Sequence, residues 1–216
     1  MRVFLVVLLL VSSVAHAADF EAGLGYTSFQ RQENGFWVQD GFAHQVNMRS
    51  PSVSLGLTGE FGSRYHYHVG YRYLGTVNAT AQCMGSDALY AQFQKTGINP
   101  LKLGTFYGDG HVNQLYLTAG PQYDFGDWHV GVGGGLTVYQ ATWAEVGIGY
   151  QTGIGVPLAS HNWGSQSRIN TGGILEASAG YKRTDLVLSV QDVRSSDQVS
   201  ALYHGLATNL SVRVRF

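Results

Sequence analysis

From Ala18 onward the apolar residues return at every second position, the repeat of a strand with one oily and one polar face. Phe20, Ala22, Leu24 and Tyr26 share a face opposite Glu21, Gly23, Gly25 and Thr27. Val53, Leu55, Leu57 and Phe61 oppose Ser52, Ser54, Gly56, Thr58 and Glu60, and Tyr65, Tyr67, Val69, Tyr71 and Tyr73 oppose His66, His68, Gly70 and Arg72. Leu115, Leu117, Ala119, Tyr123 and Phe125 alternate with Tyr116, Thr118, Gly120, Gln122 and Asp124. Trp128, Val130, Val132, Leu136 and Val138 alternate with His129, Gly131, Gly133, Gly135 and Thr137. Leu175, Ala177, Ala179 and Tyr181 face away from Glu176, Ser178 and Gly180, a shorter run follows in Leu186, Leu188 and Val190, and the last carries Leu206, Thr208, Leu210, Val212, Val214 and Phe216. Each run approaches the roughly 9 to 11 residues that a tilted strand needs to cross a bilayer.

The connections select the topology. Gly62 to Arg64, Gly126-Asp127 and Lys182 to Thr184 are short, whereas 30–49, 75–111, 140–168 and 192–203 are long, and the two kinds alternate. An all-β, antiparallel, up-and-down transmembrane barrel of eight strands has this arrangement, with tight turns at one membrane face and long extracellular loops at the other. Val146, Ile148, Tyr150, Ile154 and Val156 alternate around Gln151 to Gly153; read as a hairpin they lengthen the third loop, and read as a crossing they raise the count to ten strands. Outward aromatics flank the tight turns: Phe61 and Tyr65, Phe125 and Trp128, and Tyr181, with Phe20 and Phe216 near the chain ends. Amphipathic rings prefer the headgroup layer, so these seven are expected as membrane-interface residues.

Composition narrows the partners. Thirteen basic residues face 14 acidic ones, the formal net charge is −1, and charged residues make up only 12% of the chain, which leaves no basic field for nucleic acid. Residues 1–17 read as a cleaved signal peptide: Arg2 is the positive start, Val3 to Val11 the apolar run, and Ala15-His16-Ala17 the small-x-small site. That run is too short to span a membrane as a helix, and Cys83 is the only cysteine, so no internal disulfide forms. The barrel is then expected to occupy 18–216.

With the export signal, the run Gly70-Tyr71-Arg72-Tyr73 and the closing stretch Leu210 to Phe216, the chain resembles the small outer-membrane β-barrel superfamily that includes the OmpA transmembrane domain, OmpX and OmpW. That resemblance implies an integral protein of a Gram-negative outer membrane, surrounded by outer-membrane lipids and lipopolysaccharide. It also implies that Leu210, Val212, Val214 and Phe216 form the assembly signal read by the barrel-insertion machinery, after delivery by periplasmic chaperones. The role it implies is structural, porin-like and at the cell envelope.

The inner face carries the candidate chemistry. Eight strands enclose a space that side chains fill, so a polar plug is expected there. Reflection about the turns sets Glu60 opposite His66 and Asp124 opposite His129, closure of first strand on last brings Glu21 near Arg213 or Arg215, Glu176 and Arg72 lie higher in the lumen, and His68 shares the inner face with His66. Such a network either locks the barrel or exchanges partners to admit ions, which makes a narrow channel for ions or small solutes the alternative function. Imidazole and carboxylate suit zinc or nickel, but His66, His68, His129 and Asp124 are spread around a cylinder rather than converging, and no metal or cofactor is expected. Ser28 and His204 approach the loop end of adjoining strands and are the inventory for a third reading, a lipid A-modifying enzyme; without a further group or an oxyanion donor the expectation is that the chain is not an enzyme.

Exposed function usually resides in long loops. The first holds Phe36, Trp37 and Phe42, the second Phe93, Phe106 and Tyr107, the third Trp143, Tyr150 and Trp163. These rings either anchor a partner, such as an extracellular ligand, a host surface or a phage, or pack the loops on one another.

Overall fold

A computed structural model of the protein describes residues 18–31, 42–62, 64–84, 103–150, 157–194 and 203–216. The expected signal peptide, Phe36, Trp37, Phe93, Ile154 and Val156 lie outside the described residues. Among the described residues there are nine strands: β1 (Asp19–Arg31), β2 (Phe42–Asn47), β3 (Arg49–Phe61), β4 (Tyr65–Met84), β5 (Leu103–Phe125), β6 (Trp128–Tyr150), β7 (Pro157–Tyr181), β8 (Thr184–Arg194) and β9 (Tyr203–Arg215). All pairings are antiparallel, and the ring runs β1, β3, β4, β5, β6, β7, β8, β9 and back to β1. The short β2 lies against the upper part of β4. It shares one place in the wall with β3, the two being divided at Met48, whose carbonyl accepts the Phe29 N–H. The fold is therefore an up-and-down transmembrane barrel with eight places in its wall, and no backbone edge is left in its lower half.

The tight turns sit where the sequence puts them. Gly126 opens the β5–β6 turn at a φ of 69°, in the left-handed region that a two-residue hairpin turn demands. Outward rings then clasp neighbouring strands across each closure: Phe61 stacks on Tyr65 at 5.5 Å, Trp128 meets Tyr181 at 5.0 Å, and Phe20 meets Phe216 at 6.1 Å between ring centroids. Phe125 is exposed at the same end.

The long connections are shorter than the sequence suggests, because much of 75–111 and 140–168 is strand. β4 runs on to Met84, β5 starts at Leu103, and β6 and β7 remain paired up to Tyr150 and Pro157, so the third connection is a hairpin continuous with the wall and adds no crossing. Strands β4 to β7 are 20 to 25 residues long, about twice what a bilayer crossing needs, whereas β1, β3, β8 and β9 are 11 to 13. β7 pairs with β8 only from Ile174 to Tyr181. Among the described residues, no strand pairs with the other edge of its stretch 157–173.

In these extensions the alternation persists but changes sign. Following the outward residues from strand to strand, one cross-strand row reads Val69, Leu117, Leu136 and Gly173, and the next Tyr71, Leu115, Val138 and Thr171. Then come Tyr73, Asn113, Gln140 and Ile169, followed by Thr76, His111, Thr142 and Ser167, and then Asn78, Asp109, Ala144 and Ser165. The outer face thus turns from apolar to polar within two rows. Indoors the reverse happens, with Val77, Ala79, Ala81, Val112, Ala141 and Trp143 buried. On β5 and β6 the residue types themselves invert. On β4 a bulge does it: the register shifts between Tyr73 and Gly75, with Gly75 at φ 99°, so that odd-numbered residues, outward below, point inward above. Without that extra residue Thr76, Asn78 and Thr80 would fill the lumen and Val77, Ala79 and Ala81 would meet water.

Two arginine substitutions separate the zones. Val132, 60% exposed in the lower half of β6, faces lipid, and Val132→Arg is expected to cost about 2–4 kcal/mol in urea unfolding from lipid vesicles. Asn78→Arg, on the outer face above the inversion, is expected to change stability by no more than about 0.5 kcal/mol.

Candidate functional site

The lumen is built in tiers, each from inward positions of known register. In the lower tier Glu176 of β7 sits between two guanidinium groups. Arg72 of β4 donates to its Oε1 at 2.7 Å, and Arg213 of β9 makes a close charged contact with the same carboxylate. Thr118 donates to the other oxygen at 2.9 Å, and Arg72 also donates to Ser189 Oγ at 2.9 Å. Tyr116 of β5 lies under both arginines, its ring centroid 4.5 Å from Arg72 Cζ and 5.6 Å from that of Arg213, and its hydroxyl donates to Glu21 at 3.0 Å. Glu21 also pairs with His68 Nδ1 at 3.1 Å and stands 3.8 Å from Arg213. Two carboxylates and two guanidiniums, all buried, thereby balance in charge and are tied together by side chains from six strands. Burial this deep is tolerable only with such pairing.

The mouth at the turn end carries a looser set. Glu60 faces His66 across the β3–β4 turn at 3.8 Å and is itself largely solvent-exposed. Asp124 is opposite His129 in register, yet His129 makes its contact with Asp185 of β8 instead, and Asp124 accepts a bond from Gln122 Nε2 at 3.0 Å. The physical reason is position. Asp185 is buried on the inner face two strands from His129, whereas Asp124 is exposed at the strand end. Arg215, opposite Glu21 in register, turns to Asp185 at 3.3 Å and leaves Glu21 to Arg213. Between the mouth and the triad of Arg72, Glu176 and Arg213 lies a cavity of about 30 Å³, lined in part by His66, His68, Glu176, Asp185 and Arg213. That is room for about two waters.

Above the charges comes a neutral tier of Gln114, Thr137, Gln191 and Asn209, all buried; Asn209 donates to Thr27 Oγ1 at 2.9 Å and to Ser52 Oγ at 2.6 Å. The upper tier is apolar: Phe29, Leu74, Val77, Ala79, Ala81, Val112, Tyr139, Ala141, Trp143, Val193 and Ala207 form one buried cluster, with Val46, Met48 and Phe106 packed on it. The lumen is therefore polar only in its lower part, a correction to the wholly polar plug expected from sequence. Trp143 and Phe106, expected in loops, belong to this packing, and Trp143 is 1% exposed. Tyr107, also expected in a loop, is exposed.

Sequence reasoning missed Asp185, Tyr116 and Ser189 as members of the network. Asp185 had a usable signal, since it stands one position before the apolar alternation Leu186, Leu188, Val190 and so on the inner face. The apolar tier was legible as Val77, Ala79 and Ala81 alternating with Thr76, Asn78 and Thr80. Other candidates fall apart in space. Ser28 pairs with Thr208 and His204 with Arg194, so four register steps along β9 separate the two enzyme candidates. Among the described residues no three His, Cys, Asp or Glu side chains converge as metal ligands. Leu210, Val212 and Phe216 are exposed on the outer face of β9 and at its end.

No family model and no curated protein matches the chain. Among solved structures it is similar to Ail, the attachment invasion locus protein of Yersinia pestis, in complex with the heparin analogue sucrose octasulfate, at 12% identity over 93% of this chain and 99% of that one, with a TM-score of 0.46. It is similar also to Neisserial surface protein A, at 11% identity over 92% and 97% of the two chains and a TM-score of 0.43. For the translocator domain of the autotransporter NalP from Neisseria meningitidis the identity is 9%, the coverage 100% and 95%, and the TM-score 0.40.

Removing the central carboxylate tests the lower tier. Glu176→Gln strands two buried guanidiniums and is expected to cost about 3–5 kcal/mol in equilibrium urea unfolding. Glu60→Gln, at the wet mouth, is expected to cost less than about 1 kcal/mol.

Proposed function

We propose that the chain is an integral outer-membrane barrel that seals rather than conducts, and that it acts through the wall it raises beyond the membrane. The observation that carries this reading is the reversal of polarity along the barrel axis, which ends the lipid belt and closes the lumen with an apolar cluster at the same level. An ion that reached the triad from the turn end would still face about a dozen packed apolar side chains, where an unpaired charge is costly. The cavity near the triad favours the narrow-channel alternative in its lower half only. The enzyme alternative loses its pair, because Ser28 and His204 are not register neighbours.

In this reading the turns face the periplasm. Phe20, Phe61, Tyr65, Phe125, Trp128, Tyr181 and Phe216 anchor the inner interface, and outer-membrane lipids and lipopolysaccharide cover the belt. Leu210, Val212, Val214 and Phe216 are the assembly signal presented to the insertion machinery, with periplasmic chaperones carrying the chain there after a signal peptide of residues 1–17 is removed. The extended wall β4 to β7 presents a partner, whether a ligand, a host surface or a phage, with polar faces and with the edge of β7 over 157–173, whose backbone groups suit strand addition.

Reconstitution in planar bilayers tests the seal. The expected record shows no discrete steps, and single-channel steps abolished by Arg72→Ala would transfer the chain to the channel reading. Exposure of the wall is tested in a Cys83→Ser background on intact cells. Asn78→Cys is expected to react with a membrane-impermeant maleimide and Val132→Cys to stay unlabelled; the opposite pattern would overturn the proposed depth.

A further inference from the structure

We infer that the outward rows just beyond the lipid belt on β4, β5, β6 and β7 form a saccharide-binding face for the head group of an outer-leaflet glycolipid. The inference rests on the outer-membrane reading and adds to it a site and a chemistry. Position comes first. The rows Tyr73, Asn113, Gln140, Ile169 and Thr76, His111, Thr142, Ser167 follow directly on the last apolar row, so they meet whatever lies immediately above the acyl chains. In an outer leaflet of glycolipid, that material is sugar.

The side chains present suit it. Flat rings are supplied by Tyr71, Tyr73 and His111, the last two with centroids 6.3 Å apart. Uncharged donors and acceptors stand beside them, and they are already fixed. Tyr71 Oη donates to Asn113 Oδ1 at 2.6 Å, Gln140 Nε2 donates to Ser167 Oγ at 2.6 Å, and the His111 ring shares a 2.9 Å bond with Thr142 Oγ1. A rigid array of amides and hydroxyls loses little rotamer freedom on binding, and each group keeps capacity for a sugar hydroxyl. Neither row contains a lysine or arginine, so the head-group phosphate is not what these rows select. Two exposed arginines stand beside the rows without belonging to them, Arg49 at the start of β3 and Arg168 between Ser167 and Ile169 on β7. The far wall differs: there β1 and β9 present Ser28 opposite Thr208 and then the exposed Leu206, with no ring among them.

The test uses the full mature barrel refolded in detergent, with heat-modifiable gel migration confirming that each variant is folded. Binding is read by native mass spectrometry against deep-rough lipopolysaccharide and, separately, phosphatidylglycerol. The chain is expected to retain lipopolysaccharide in preference to phosphatidylglycerol. Tyr73→Ala with His111→Ala is expected to weaken lipopolysaccharide retention by about tenfold or more, as the loss of a ring contact and a hydrogen bond implies. Thr208→Ala, on the far wall, is expected to leave it unchanged. If the double variant does not fold, Gln140→Ala takes its place with a smaller loss in the same direction. Unchanged retention in the folded variants would overturn the site, and phosphatidylglycerol binding that equals lipopolysaccharide and falls with the same substitutions would overturn the saccharide chemistry. A chain that never acquires heat-modifiable migration would instead defeat the outer-membrane reading itself.

Discussion

The bilayer interior offers no water to an unpaired backbone amide, and that constraint governs the rest of this molecule. A strand can cross only if both of its edges are bonded, so the sheet must close on itself, β1 against β9 at one seam and β4 against β5 at another. Closure fixes which side chains point where. Outward positions meet lipid and must be apolar; inward positions meet one another and must fill a narrow cylinder. Glycine at 131, 133 and 135 on the inner face of β6 is one response to that crowding, and at Gly135 an added Cβ would fall onto the backbone of β5. The same crowding makes the opposite solution, large charged side chains in contact, stable only as a closed network.

That network also bears on register. Because side chains alternate with a period of two, a slip of one residue in any lower strand would carry Arg72, Glu176 or Arg213 into lipid and bring leucine or valine into contact with the remaining charges. A buried ion pair contributes little net stability compared with a packed apolar alternative, but its penalty for misplacement is large. The charged tier is thereby a better device for selecting one register than for strengthening the fold. The apolar tier above it has the converse character, since aliphatic contacts stabilise by burial but tolerate small displacements.

What could be read in the sequence follows from this division. Where the barrel crosses lipid, both faces obey strong and opposite demands, and runs such as Tyr65 to Tyr73 or Leu210 to Phe216 declare orientation, turn positions and cross-strand neighbours, including Glu60 opposite His66. Partner choice inside the lumen was less legible. His129 and Asp124 are opposite in register, but the contact made depends on how deeply each group sits, and Asp185 approaches from a strand distant in sequence. Beyond the lipid, the alternation of β4 to β7 persists with its sign reversed, and a rule that equates apolar with outward reads such segments as loops. The bulge at Leu74 and Gly75 hides the change further, because a single added residue alters the parity without altering the composition.

The reversal has a consequence for depth. A barrel whose outer face stays apolar along its length can slide along the membrane normal at modest cost; one whose outer face changes character within two rows cannot. Raising this barrel by a row or two would bring leucines such as Leu117 and Leu136 into water, and lowering it would bury Asn113, Gln140 and His111 in hydrocarbon, where the hydrogen-bonding capacity they now leave to the surroundings goes unmet. Aromatic rings at the turn end resist both movements. With depth held at both ends, the row of Tyr73 and the row of His111 occupy one stratum of the leaflet rather than a range of heights. A surface held at one depth can be complementary to the chemistry of that depth, and for this reason we place recognition on the outer wall of β4 to β7 and not in the lumen, whose charges are already spent on each other.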